Sequence, residues 1–146
     1  MIATFLEPGE SATFAKTITE ADLVLFSGLT GDFDPIHVNE AYAAETPFGR
    51  RIAHGALVMG LLSTTASMMS RRSVERGSTA TSVSLGYDRI RFLKPVFIGD
   101  TLNARYTIEE IDGASARARS KVEVTNQHGE ACLVGTHIMK WVAPAA

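Results

Sequence analysis

The stretch GALVMGLLSTTASMM, residues 55–69, constrains this chain more than any other. It carries no charge, is apolar on nearly every side of a helical wheel, and is rich in small residues. A helix of that kind has no face for water and is buried within its own domain. Its longest apolar run, ALVMGLL at 56–62, is too short to span a bilayer. Something in the chain must therefore wrap around it, and the small residues let a sheet approach closely.

The second half supplies the wrapping. In SARARSKVEVT at 115–125, Arg117, Arg119, Lys121 and Glu123 alternate with Ala116, Ala118, Val122 and Val124, the pattern of a half-buried antiparallel strand. TLNARYTIEEI at 101–111 alternates similarly, and Asp112-Gly113 predicts a tight hairpin turn between the two. His128-Gly129 marks the next turn, before ACLVGTHIMKWV at 131–142. SVSLGYDRIRFL at 82–93 is a further strand, stopped by Lys94-Pro95. Upstream, ATFAKTIT at 12–19 reads as a short strand, and Thr19 with Asp22 resembles a capping box. The helix it opens places Leu23, Phe26 and Leu29 on roughly one side and ends at Gly31, and a short helix follows at 39–45. A buried helix followed by four strands is an α+β domain, an antiparallel sheet wrapped around a helix. No repeat or linker divides it, so residues 1–146 form one domain.

Charge and cysteine content narrow the partners. A formal net charge of −2 gives no case for nucleic acid or an anionic membrane as a general partner. The single cysteine, Cys132, cannot form an internal disulfide, and no secretory pattern opens the chain. A cytoplasmic location is the expectation.

Chemistry concentrates in TGDFDPIHVN, residues 30–39. Asp32 and His37 lie five apart, a spacing that shares neither a helix face nor one side of a strand. Only a turned loop brings them together. Pro35 supplies the break by fixing its own φ and restricting Asp34, which is assigned to forming the turn. The second informative place is the start of the buried helix near Gly55. Backbone N–H groups there lack helical partners and carry partial positive charge, and a glycine lets a ligand come close. If the loop folds over this terminus, an acid, a base and an oxyanion donor meet in one pocket.

The segment GDFDPIHVNEAYAAETPFGRRIAHGALVMGLLS, residues 31–63, resembles the signature of the MaoC-like dehydratases, the (R)-specific enoyl-CoA hydratases, in order and spacing. YDRIRFLKPVFIGDTL at 87–102 is similar to the strand and Gly-Asp turn typical of that family. The resemblance implies a hot dog fold, a curled antiparallel sheet around a central helix, as a homodimer or higher homo-oligomer. It implies catalytic roles for Asp32 and His37, an oxyanion-hole role for the Gly55 N–H, and a supporting, orienting role for Ser63. The substrate it implies is an enoyl thioester of coenzyme A or of an acyl carrier protein, with no separate cofactor. Arg91 and Lys94 are the candidates for the coenzyme A phosphates. No metal is expected, because neither an HExxH-type nor a cysteine-based spacing is present. His54 is assigned to shaping the helix start, His128 to a turn, and His137 and Cys132 to structure. Two rivals remain open: a hot dog acyl-CoA thioesterase and a non-catalytic acyl-CoA-binding module. The thioesterases of this fold usually place a carboxylate on or near the central helix, where Met59 and Leu62 offer none.

Overall fold

The computed structural model describes residues 1–146, and its elements follow the chain as β1 (Ser11–Thr17), α1 (Glu20–Thr30), α2 (Pro35–Val38), α3 (Glu40–Ala44), α4 (Gly55–Glu75), β2 (Thr81–Phe92), β3 (Thr101–Asp112), β4 (Arg117–Thr125) and β5 (Ala131–Val142). The five strands form one antiparallel sheet in the order β1-β3-β4-β5-β2. The chain leaves β1 at one edge, runs through the helices, and re-enters as β2 at the opposite edge. The curled sheet holds α4 against one face, chiefly against β1 and β3.

Alternation works as the sequence predicts. Leu102, Ala104, Tyr106 and Ile108 of β3 are buried, as are Ala118, Ser120, Val122 and Val124 of β4. They meet Leu57, Val58, Leu61, Leu62, Ala66 and Met69 on α4 in one continuous core. At the far end of α4, the Trp141 indole N–H donates to Ser73 Oγ at 3.0 Å, which satisfies a ring polar group inside the core.

Several expectations need correction. The central helix does not stop at residue 69 but continues to Glu75, because SRRSVE has no breaker before Gly77. Nor is it buried all round: Ala56, Gly60, Ser63, Ser67 and Met68 are exposed within this chain. The wheel has an uncovered stripe of small residues where a fully buried helix was expected. On α1, Leu23 and Ser27 are the buried pair while Leu29 is 85% exposed, so the inward face follows i and i+4 instead. The β3–β4 turn is not a two-residue hairpin. It runs through residues 113–116 with Ala116 at φ 52°, and the Asp112 carboxylate accepts from the Ala114 and Ser115 N–H groups.

Candidate active site

The loop after α1 is built by short polar contacts. Gly31 sits at φ 83°, a left-handed turn that glycine adopts without strain, and closes α1 with an N–H bond to the Ser27 carbonyl. The Asp32 N–H then donates to Thr30 Oγ1, and the Asp34 N–H donates to Asp32 Oδ1 at 3.2 Å. Asp34 itself caps α2, accepting from the Ile36 N–H at 3.0 Å, with Pro35 in the first helical turn. This single turn rotates His37 back toward Asp32. The His37 Nδ1 lies 2.7 Å from the Ile52 carbonyl. A carbonyl only accepts, so Nδ1 carries the proton and the neutral ring keeps a lone pair at Nε2.

The loop and the helix do meet, and His54 joins them. It precedes Gly55 at the N-cap of α4 and is 2% exposed. Its ring stacks on His37 with centroids 3.8 Å apart and planes 27° from parallel. Its Nε2 lies 3.1 Å from both the Asp32 carbonyl and Ser27 Oγ. Burial holds its pKa below the ordinary histidine value, against the pull of the Asp32 carbonyl and carboxylate. A carboxylate oxygen of Asp32 and one ring nitrogen each of His37 and His54 lie within 4.8 Å of one another. Groups this close can be bridged by one water, whose two acceptors stand about 4.5–5.5 Å apart at most. His37 Nδ1 and His54 Nε2 are each held by a backbone carbonyl, which leaves one free nitrogen on each ring.

Beside this trio lies the start of α4. The His54 carbonyl accepts from the Leu57 and Val58 N–H groups, whereas the Gly55 and Ala56 N–H groups have no acceptor in the chain. These free donors and the positive end of the helix dipole stand at the wall of the space that Gly55, Ala56 and His37 line. A cavity of about 510 Å³ opens there, lined by His37, Phe48, Ile52, Gly55, Val58, Phe92, Val96 and Cys132 among others. The Phe92 ring lies over Gly55 so closely that a Cβ at residue 55 would come within 2.8 Å of it.

The family model for the MaoC like domain matches residues 5–131. This chain belongs to the MaoC-like dehydratase family. An (R)-specific enoyl-CoA hydratase of Rhodospirillum rubrum is 43% identical over 70% of this chain and 66% of its own length. A 3-hydroxybutyryl-CoA dehydratase of Methylorubrum extorquens is 38% identical over 78% of this chain and 68% of its own length. Among solved structures, the (R)-hydratase from A. caviae involved in PHA biosynthesis superimposes with a TM-score of 0.81 at 30% identity, covering 97% of this chain and all of that one. The curled sheet and long helix of this MaoC-like protein are accordingly the hot dog fold.

Not every residue predicted for the site of this MaoC-like protein reaches it. Ser63 lies eight residues beyond Gly55, about 12 Å along the helix, on the outward stripe. It makes no hydrogen bond to Asp32 or His37, so the orienting role expected of it is not performed within one chain. Arg91 is turned away from the cavity and donates to the Ile90 carbonyl. Lys94 does reach the cavity rim, paired with Glu130. Arg50 also reaches a polar hollow beside that rim, its guanidinium 3.9 Å from the Phe97 ring centroid. Arg51 is committed elsewhere, bridging Glu20 and Glu40. His54 contacts both Asp32 and His37, beyond the helix-start role its position implied, although a histidine immediately before the helix-opening glycine was the available signal.

Proposed function

We propose that this MaoC-like protein is an (R)-specific enoyl-CoA hydratase, adding water across the trans-2 double bond of an enoyl thioester and running the reverse dehydration. The observation that carries this reading is the meeting of three features. A carboxylate oxygen of Asp32 and a ring nitrogen of His37 lie within 4.8 Å, unpaired N–H groups open α4 nearby, and an apolar cavity is lined by both His37 and Gly55.

The chemistry follows from which groups can accept. An ionised Asp32 carboxylate is acceptor-only, and His37 with Nδ1–H on Ile52 presents a lone pair at Nε2. One water gives each of them an O–H. His37 Nε2 takes one proton as the water oxygen bonds to C3, and the displaced π electrons move onto the thioester oxygen. The Gly55 N–H and the α4 dipole stabilise that enolate, a contribution of about 10²–10³ in rate when such a donor is well placed. The imidazolium, steadied by the Asp32 carboxylate, then returns the proton to C2. The atoms of one water are added, and the pair regains its starting state. Because both bonds form on the side where the pair sits, addition is syn.

The thioesterase reading gains no support. The only carboxylate on α4 is Glu75, at the end opposite Gly55.

The site is open on one side of a single chain, and a second copy is the reading that closes it. Asp32 and Phe33 are exposed, as are Val83, Leu85 and Phe92 on the edge strand β2. An edge that combines free backbone groups with apolar side chains is built for pairing. A homodimer would cover it and the small-residue stripe of α4, with coenzyme A or an acyl carrier protein as the thiol carrier. Lys94 and Arg50 stand where phosphates of the carrier could be received. No helix is long and apolar enough to cross a membrane, and the free, buried Cys132 thiol fits a cytoplasmic setting.

One assay separates the readings. With crotonyl-CoA as substrate, hydration removes the conjugated enoyl absorbance without releasing thiol. A thioesterase releases thiol, and a binding module changes neither. Failure across short, long and branched enoyl-CoAs would sink the proposal.

A further inference from the structure

His54 belongs to neither the water-handling pair nor the oxyanion donors, yet it touches the structures that carry both. Its place in the fold is demanding. It is almost completely buried, it is the residue from which α4 starts, and it lies under His37 as a stacked ring. Its titratable neighbours are Asp32 on the loop and His37 on α2, and α1 contributes the uncharged Ser27 and Phe26.

The hydrogen bonds assign its tautomer. The Asp32 carbonyl has no proton to give, so a nitrogen 3.1 Å from it must be the donor. Nε2 therefore carries the hydrogen, with Ser27 Oγ at the same distance as a second, shared contact. The other nitrogen, Nδ1, is buried with no partner. As a bare acceptor this costs less than a buried N–H without an acceptor, which is what protonation would create there. Geometry and burial agree on a neutral ring.

Resting on the enoyl-hydratase reading, we propose that His54 is a positioning residue of the reaction. As a neutral Nε2–H imidazole it ties the Asp32 backbone to the start of α4 and backs the ring of His37. Without that tie the loop is held to the segment before α4 mainly through His37 and Ile36 on Ile52, and the Asp32 carboxylate is free to drift from His37. A misplacement of about 1 Å between reacting groups can cost about 10²-fold in rate.

Two amide variants separate positioning from packing. The side-chain nitrogen of His54→Gln falls near the imidazole Nε2 and can still donate to Asp32. The nitrogen of His54→Asn falls near Nδ1 and cannot. With crotonyl-CoA, His54→Gln is expected to keep kcat within about tenfold of the unmodified enzyme, and His54→Asn to lose about 10²-fold. KM should change less than threefold in both, on the order of what a group outside the substrate contacts gives. Equal kcat values for the two variants, or a loss appearing only in KM, would overturn the assignment. Should either variant fail to fold, ¹⁵N imidazole spectra of the unmodified protein decide the matter. A neutral Nε2–H pattern at His54 near neutral pH supports it, and an Nδ1–H or charged ring overturns it. Absence of hydration by the unmodified protein would instead reject the parent reading, independently of the spectra.

Discussion

His54 and His137 are both buried imidazoles in contact with aromatic rings and a serine, and they stand in opposite relations to function. At His137 both nitrogens are partnered: Nε2 with Ser84 Oγ at 2.7 Å and Nδ1 with the Tyr106 hydroxyl at 2.8 Å. The cluster cross-links β2, β3 and β5 through side chains, and burial pushes His137 down to about 4 and Tyr106 up to about 12. At His54 one nitrogen is unpartnered, and the other holds a backbone carbonyl on an exposed loop. A fully satisfied buried group serves the fold. One left unsatisfied beside an open cavity marks a place where the fold accepts a cost for geometry that a reaction needs.

That contrast predicts effects of different size and kind in the two regions. The largest belongs to the site: Asp32→Asn and His37→Gln should each lower kcat by about 10³-fold or more while the protein still folds cooperatively in urea titrations, because they remove the carboxylate charge and the basic ring nitrogen. Near-normal turnover in either would remove that residue from the mechanism. The next belongs to the sheet. His137 has a lowered folded pKa, so unfolding takes up a proton in acid. Its contribution is complete above 6.5 and is lost as pH falls toward 4. The loss comes to about 3 kcal/mol. His137→Phe should lower stability at neutral pH, because Tyr106 and Ser84 lose their partner, but flatten that acid decline. An unchanged pH dependence of the unfolding free energy would contradict it. A third, smaller effect joins the halves of the site. Gly55→Ala must displace the Phe92 ring, which is exposed enough to move. It should cost about tenfold in kcat/KM and little stability, and kinetics compared with thermal melting will tell. Smallest is Arg50→Ala, expected to raise KM for crotonyl-CoA about threefold without changing kcat.

Much of this arrangement was legible in the chain, for reasons that are local. The Thr19–Asp22 capping box, the Gly31 stop and the Asp34-Pro35 turn are set by neighbours a few residues away, and each forms as the sequence implies. The alternation of β3 and β4 needed only one buried face. What stayed hidden depends on partners distant in sequence. Nothing in GALVMGLLSTTASMM tells which stripe the sheet leaves uncovered, and Ser63 falls on that stripe. Arg91 and Lys94 are three residues apart, yet only Lys94 reaches the cavity, since β2 ends between them. His54 could be placed at a helix start from its neighbours, but its contact with a carbonyl 22 residues upstream could not.

The central claim is that Asp32 and His37 handle one water from one side, so that the hydroxyl at C3 and the hydrogen at C2 are added to the same face of the double bond. Hydrating crotonyl-CoA in D₂O tests this directly, with the C2 configuration of the product read by NMR. The account predicts deuterium at C2 on the same side as the new hydroxyl in an (R)-3-hydroxybutyryl thioester. Deuterium on the opposite side, or scrambled between the two, would contradict it.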